Sequence, residues 1–170
     1  MILRALILIG ALAAGVAQAQ QVPDIAGWNN TRWGMNPEQL RTALGPSLLA
    51  EQSQIGLVRY SMKDVSIGGV PFDVHLLVNP IGLTDVAFGS GFVNRARDTE
   101  AAAVEAALRA QYGNDPEVID KESMTPGDGR SVYRELNWRF PSTTVRFLHN
   151  LEISSAATND HLSVTFSRPR

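Results

Sequence analysis

The 170-residue chain contains no cysteine. That absence excludes disulfides, thiol nucleophiles, iron–sulfur clusters, cysteine-based zinc sites and thioether lipid anchors. A basic excess is missing as well. Lys and Arg together number 15 against 17 Asp and Glu, a formal charge of −2, whereas a nucleic-acid-binding protein normally carries a positive balance. Histidine is scarce, at 3 residues. Beyond the N-terminus no apolar run is long enough to span a bilayer. What is present is the composition of a globular protein. Hydrophobic residues make up 44% and charged residues 19%, consistent with one domain or two half-domains sharing a core.

The long apolar stretch stands at the start. Residues 1–19 read MILRALILIGALAAGVAQA. Arg4 forms a positive n-region, Ala5 to Val16 an apolar h-region, and Ala17-Gln18-Ala19 an A-x-A cleavage site. The stretch is shorter than the roughly 18–20 residues of a spanning helix. The expectation is a bacterial export signal cleaved near Ala19, giving a soluble periplasmic or secreted protein with no stable membrane span. Cleavage leaves 170 − 19 = 151 residues and, with Arg4 gone, a charge of −3. A chain of that length buries roughly 68–70% of its unfolded surface, so it can fold without disulfides.

The first regular element is signalled at Asn36, an N-cap followed by Pro37 at N1 and Gln39 at the capping-box position. Leu40 and Leu44 share a face, and Gly45-Pro46 ends the helix. Val58, Tyr60 and Met62 alternate with polar residues, and Val65 and Ile67 shift the parity, which predicts a bulge near Lys63-Asp64. Gly68-Gly69 predicts a tight hairpin. Val70 to Asn79 alternates strictly, Asn79-Pro80-Ile81-Gly82 is a turn, and Leu83 to Phe88 is a third strand. Gly89 to Arg97 reads as a linker. The second half repeats the order. Asp98 caps a helix over 99–112 whose buried stripe is Ala101, Val104, Leu108 and Tyr112. Strands are expected at about 132–140, 143–153 and 161–167, with 155–160 as a polar loop. The helix ends share L-R-x-x-[LY]-G, Leu40 to Gly45 and Leu108 to Gly113, at an offset of 68. The expected fold is therefore α+β. It consists of two tandem α-β-β-β units, 20–91 and 92–170, with an antiparallel sheet and the helices packed on one face.

Trp33-Gly34-Met35-Asn36-Pro37-Glu38-Gln39-Leu40, continuing to Leu44-Gly45-Pro46, resembles the opening helix of small bacterial envelope proteins of the BamE type. Those carry a G-M-[ST]-x-x-[EQ]-[VL] helix start and an L-G-x-P helix end. The resemblance covers residues 33–88 and, more weakly, 98–167. The β-lactamase-inhibitor protein looks like a tandem version of a similar unit. The resemblance implies helices paired with three-stranded antiparallel sheets and a non-enzymatic protein-binding role. BamE-type proteins are lipoproteins, and the lack of cysteine here departs from that pattern and removes the anchor.

Chemistry-bearing constellations are sparse. Asp73 and His75 share the polar side of one strand and have the residue types of an acid/base pair or of metal ligands. His149 is in phase with Val145, Phe147, Leu151 and Ile153, as a core-edge residue would be, and His161 stands at a strand start. Gly89-Ser90-Gly91 is not a nucleophile elbow, because Phe88 and Phe92 occupy the flanking positions. Thr125 to Gly129 has the composition of a turn rather than a phosphate loop. Glu117, Asp120 and Glu122 fit a loop or an edge strand. In the second half, Val132, Arg134, Leu136 and Trp138 share one parity, and Tyr133, Glu135, Asn137 and Arg139 share the other. A sheet face mixing Tyr, Arg and Leu is composed like a protein-binding surface. Its candidate residues are Asp73, His75, Tyr133, Arg139 and Arg146. The expected function is an exported, non-enzymatic module that recognises an envelope or secreted protein partner, without nucleic acid, metal or cofactor. The alternatives are a small envelope hydrolase or metal-dependent enzyme centred on Asp73 and His75, or an inhibitor of an exported enzyme.

Overall fold

The computed structural model describes residues 23–54, 56–125 and 129–169; the expected export signal lies outside them. Helix α1 (Pro37–Leu44) runs into a 3-10 turn (Gly45–Ser47). Strands β1 (Leu49–Gln54), β2 (Leu57–Ile67), β3 (Val70–Asn79) and β4 (Gly82–Val93) follow. Helix α2 (Asp98–Tyr112) then precedes β5 (Glu117–Thr125), β6 (Gly129–Arg139), β7 (Thr144–Ile153) and β8 (Thr158–Ser167). The strands form one antiparallel sheet in the order β1-β2-β3-β4-β8-β7-β6-β5. The mixed α and antiparallel-β class is as expected.

Four strands follow each helix rather than three. The extra ones, β1 and β5, are the two edges of the sheet. Their sequences, LAEQSQ and EVIDKESMT, lack a strict apolar alternation. An edge strand bonds to one neighbour only and tolerates polar side chains on both faces, so the usual hydrophobic signal is weak there. Strand β4 is also longer than expected. It continues through Gly89-Ser90-Gly91 to Val93 by means of a bulge between Gly89 and Phe92 against β8, so this stretch is paired strand and not a linker. The region expected as a loop at 155–160 is strand from Thr158 onward.

Local signals account for the rest. Both hydrogen bonds of the α1 capping box form: Asn36 Oδ1 accepts from the backbone of Glu38 and Gln39, each at 3.0 Å, and Gln39 Oε1 accepts from Asn36 N at 2.9 Å. The β2 register slips between Met62 and Val65, where Asp64 takes φ 57°. Gly68 has φ 60°, and a Cβ there would stand 2.4 Å from the Ala103 carbonyl oxygen. The residue is therefore required both for the turn and for its close approach to α2. At α2 the expectation fails in one detail. The N-cap is Arg97, without a side-chain cap, and its N–H donates to Asp160 Oδ2 at 2.8 Å. Asp98 instead points to Arg130, 3.2 Å away.

One core joins both halves. It gathers Leu40 of α1, Ala101, Val104, Leu108 and Tyr112 of α2, and alternate residues of β3, β4, β6, β7 and β8. Phe88 sits at its centre, with rings of Trp28, Phe72 and Phe166 packed around it at 5.1, 6.3 and 5.7 Å. The segment before α1 crosses to the second half of the chain. Asp24 accepts from Ser142 N at 2.9 Å, and Thr143 Oγ1 donates to the Ile25 carbonyl and accepts from Trp33 Nε1 at 2.8 Å. Phe88→Ala is expected to lower the unfolding free energy by about 3–5 kcal/mol, as for other large-to-small core changes. Asn36→Ala at the α1 cap costs about 1 kcal/mol. Urea unfolding of the two variants checks both values and their order.

Candidate binding face of the sheet

Strand alternation divides the sheet into a core face and a second face. The five residues expected to bind a partner all fall on the second face. Following the ladder across the strands, one row reads Ser61, His75, Ala87, Thr165, Arg146, Asn137 and Glu117. The adjacent row reads Asp73, Gly89, Ser163, Leu148, Glu135 and Ile119. Beyond it lies Phe92, His161, Asn150, Tyr133 and Lys121. On the other flank Arg59, Leu77, Asp85, Ser167, Thr144 and Arg139 stand in line.

The five do not form one cluster. Asp73 and His75 lie on β3, separated from β7 by β4 and β8, a distance of roughly 14 Å at the usual strand spacing. Asp73 is held by Lys63 Nζ at 2.7 Å. Arg139 reaches the β5 edge and bonds Glu117 at 2.6 and 3.2 Å. Tyr133 and Arg146 are the two brought into one electrostatic group, and the residue between them is Glu135, which the sequence reading placed on this face but did not single out. The Tyr133 hydroxyl donates to Glu135 Oε2 at 2.5 Å, and Asn137 Nδ2 donates to Oε1 at 2.8 Å. Partial burial works against the Glu135 charge. The two hydrogen bonds and the nearby Arg146 outweigh it and hold the carboxyl below its ordinary value. The same hydrogen bond, with partial burial, raises the Tyr133 phenol above its usual range. Lys121 Nζ lies 5.9 Å from the Tyr133 ring centre.

Two charged groups lie on the core side. Glu105 of α2 takes Arg134 Nε at 2.8 Å and Arg109 Nε at 2.8 Å, and Arg134 also meets Asp120 of β5. Arg134 shares the apolar parity of β6, so this network is what lets a guanidinium sit on the core face. The other group is fully internal. Asp160 is 0% exposed and His149 3% exposed, with Nε2 and Oδ2 3.2 Å apart. The pair tethers the β7–β8 hairpin to the start of α2 through the Arg97 N–H. His149, in phase with the core residues of β7, is internal, and Asp160, in the stretch expected as a polar loop, is a buried residue of β8. No group of three or more potential metal ligands gathers among the described residues. No described helix is long and apolar enough to cross a membrane. Comparison with protein-family models, curated proteins and solved structures identifies no match to the chain.

The Arg134 hydrogen bond is the main reason the Glu105 carboxyl lies below its ordinary value of 4.5; partial burial opposes it and the Arg109 bond adds to it. Because the folded value is the lower one, the network stabilises fully above the unfolded value and fades as pH falls through the folded value. Glu105→Gln is therefore expected to unfold at lower urea than the wild type at pH 7, with the gap narrowing as pH falls below the ordinary value of 4.5. A gap independent of pH means that packing, not charge, sets the contribution of Glu105.

Proposed function

We propose that the chain is an exported, non-enzymatic module that recognises a protein partner in the cell envelope through the second face of the sheet. The observation that carries this reading is that Asp73, His75, Tyr133, Arg139 and Arg146, spaced along different strands, all project from that face. Leu77 and Leu148 lie among them. A broad face of Tyr, Arg and scattered aliphatic residues suits protein recognition. Two tandem units, 20–91 and 92–170, with both helices over the opposite face, complete the reading. The shared L-R-x-x-[LY]-G helix ends support this, as does the repeated order of one helix and four strands. The similarity of the α1 region to BamE-type proteins points the same way. Export rests on the residue 1–19 signal pattern.

The test is in-cell crosslinking of the tagged protein in its native envelope, read by mass spectrometry, for the wild type and for Tyr133→Ala/Arg139→Ala/Arg146→Ala. One dominant stoichiometric partner is expected for the wild type. The triple variant should capture it about 10- to 100-fold less well, the range of one or two lost interface anchors, with an unchanged circular dichroism spectrum. Equal capture by the folded variant removes this face from the interaction.

A further inference from the structure

We propose that the row Phe92–His161–Asn150–Tyr133–Lys121, with the depression beside it, binds an oligosaccharide built of N-acetylated hexoses. The inference goes beyond the protein-partner reading and does not rest on it. It starts from the bulge in β4. The ladder to β8 skips between Gly89 and Phe92, Gly91 adopts φ 69°, and Ser90 Oγ accepts the Leu162 N–H at 3.1 Å. This device turns Phe92 outward on the second face. Its ring stacks on His161 at 4.9 Å with an interplanar angle of 27°, and the residue stays 76% exposed. A phenyl ring supported from below and open above is a flat apolar platform, and the axial C–H groups of a pyranose form a complementary flat apolar surface.

Tyr133 lies three strands further along the same row, roughly 14 Å away at normal strand spacing. Its ring is fixed by the hydroxyl bond to Glu135. Two fixed rings at that separation match the two ends of a short oligosaccharide. Beside Tyr133, toward the β5 edge, lies an open depression of about 600 Å³ whose lining includes Ile119, Lys121, Ser123, Ser131 and Tyr133, with Asn150 on the side nearer Phe92. Asn150 supplies an amide with two donors and an acceptor, and the serines supply hydroxyls that donate or accept, the groups that pair with sugar hydroxyls. Ile119 gives the depression an apolar contact suited to an acetamido methyl. Glu122, at the rim of the depression, is paired with Arg130 on the core side, and on the second face Lys121 and Arg146 are balanced by Glu135 and Glu152, which favours a neutral ligand. A single-stranded nucleic acid also stacks on aromatic rows but needs a positive groove, and here Glu135 and Glu152 cancel Lys121 and Arg146 on the same face.

The probe is chitotetraose, titrated into the 15N-labelled protein and followed by NMR, with cellotetraose, which lacks the acetamido groups, in parallel. Saturable shifts are expected at the amides of Phe92, His161, Asn150, Tyr133 and Ser131. Phe92→Ala and Asn150→Ala should each weaken binding about tenfold or more, and cellotetraose should bind severalfold more weakly. Because Phe92 is exposed, Phe92→Ala should keep the rest of the spectrum and its capture of the crosslinked partner; loss of sugar binding alone separates this site from the protein-binding reading. No shifts at millimolar sugar, shifts confined to other parts of the sheet, or undiminished binding by both variants would overturn the proposal. So would loss of partner capture by Phe92→Ala with no response to either sugar, which assigns the row to the protein interface.

Discussion

The ladder between β4 and β8 is the constraint on which the structure depends. These are the last strands of the two halves, and their pairing sets Val86 against Phe166 and Phe88 against Val164. Without it the chain would form two four-stranded meanders, each with one apolar face and too few residues to cover it. With it, the apolar faces become one surface with one core. The chain then locks the join from both directions. The β2–β3 turn of the first half lies against α2, as the Gly68 contact with Ala103 records. The segment at 24–33 crosses the other way to Ser142 and Thr143 and lays Trp28 on Phe88. Local helix and hairpin propensities are modest, so this crossed arrangement is what converts two weak sheets into one cooperative unit.

The parts that could be read from the sequence were those governed by local chemistry or by the burial of one strand face. The Asn36–Gln39 capping box, the slip at Lys63-Asp64, the Gly68-Gly69 hairpin and the α2 stripe each follow from a few neighbouring residues. Val70 to Asn79 reads clearly because β3 has neighbours on both sides and one face buried. Strand β1 did not read and β5 read only as a loop or an edge strand, because an edge strand leaves half its backbone unpaired and need not bury a regular face. Asp160 did not read either. A polar stretch of Ser, Ala, Thr and Asn before it resembles a loop, and only the tertiary contact with Arg97 N and His149 explains a fully buried carboxylate. The candidate face was legible as a parity and its charged members could be named. The grouping of Tyr133 with Glu135 and Arg146, and the outward turn of Phe92, depend on cross-strand register and a bulge that no local pattern specifies.

An open eight-stranded sheet has two edges, and β5 is the more regular, paired to β6 over Glu117 to Thr125 without a slip. Such an edge invites a second copy to add itself. Its sequence opposes this. In an antiparallel pairing of β5 with its own copy about a twofold axis through the sheet, the three most extended registers place Asp120, Lys121 or Glu122 opposite itself. Each puts like charges at the dyad, where they destabilise a cross-strand pair. Asp120 and Glu122 also form ion pairs with Arg134 and Arg130 on the core side, so these charges serve the fold of the single chain as well as guarding its edge.

Val118, Met124 and Ile119 expose apolar surface along β5, yet the charged dyad makes growth of the sheet through that edge unfavourable. The core cluster takes in Leu40, Ala101, Val104, Leu108 and Tyr112, with Trp28 and Trp33 packed against it. The second face and its rim remain open, and there side chains rather than backbone groups are presented. The residues that hold the β4–β8 join, Val86, Phe88, Val164 and Phe166, point to the other face. A substitution on the second face is therefore expected to leave the join intact, and this independence of outward side chains from the core is what a sheet with one buried face provides.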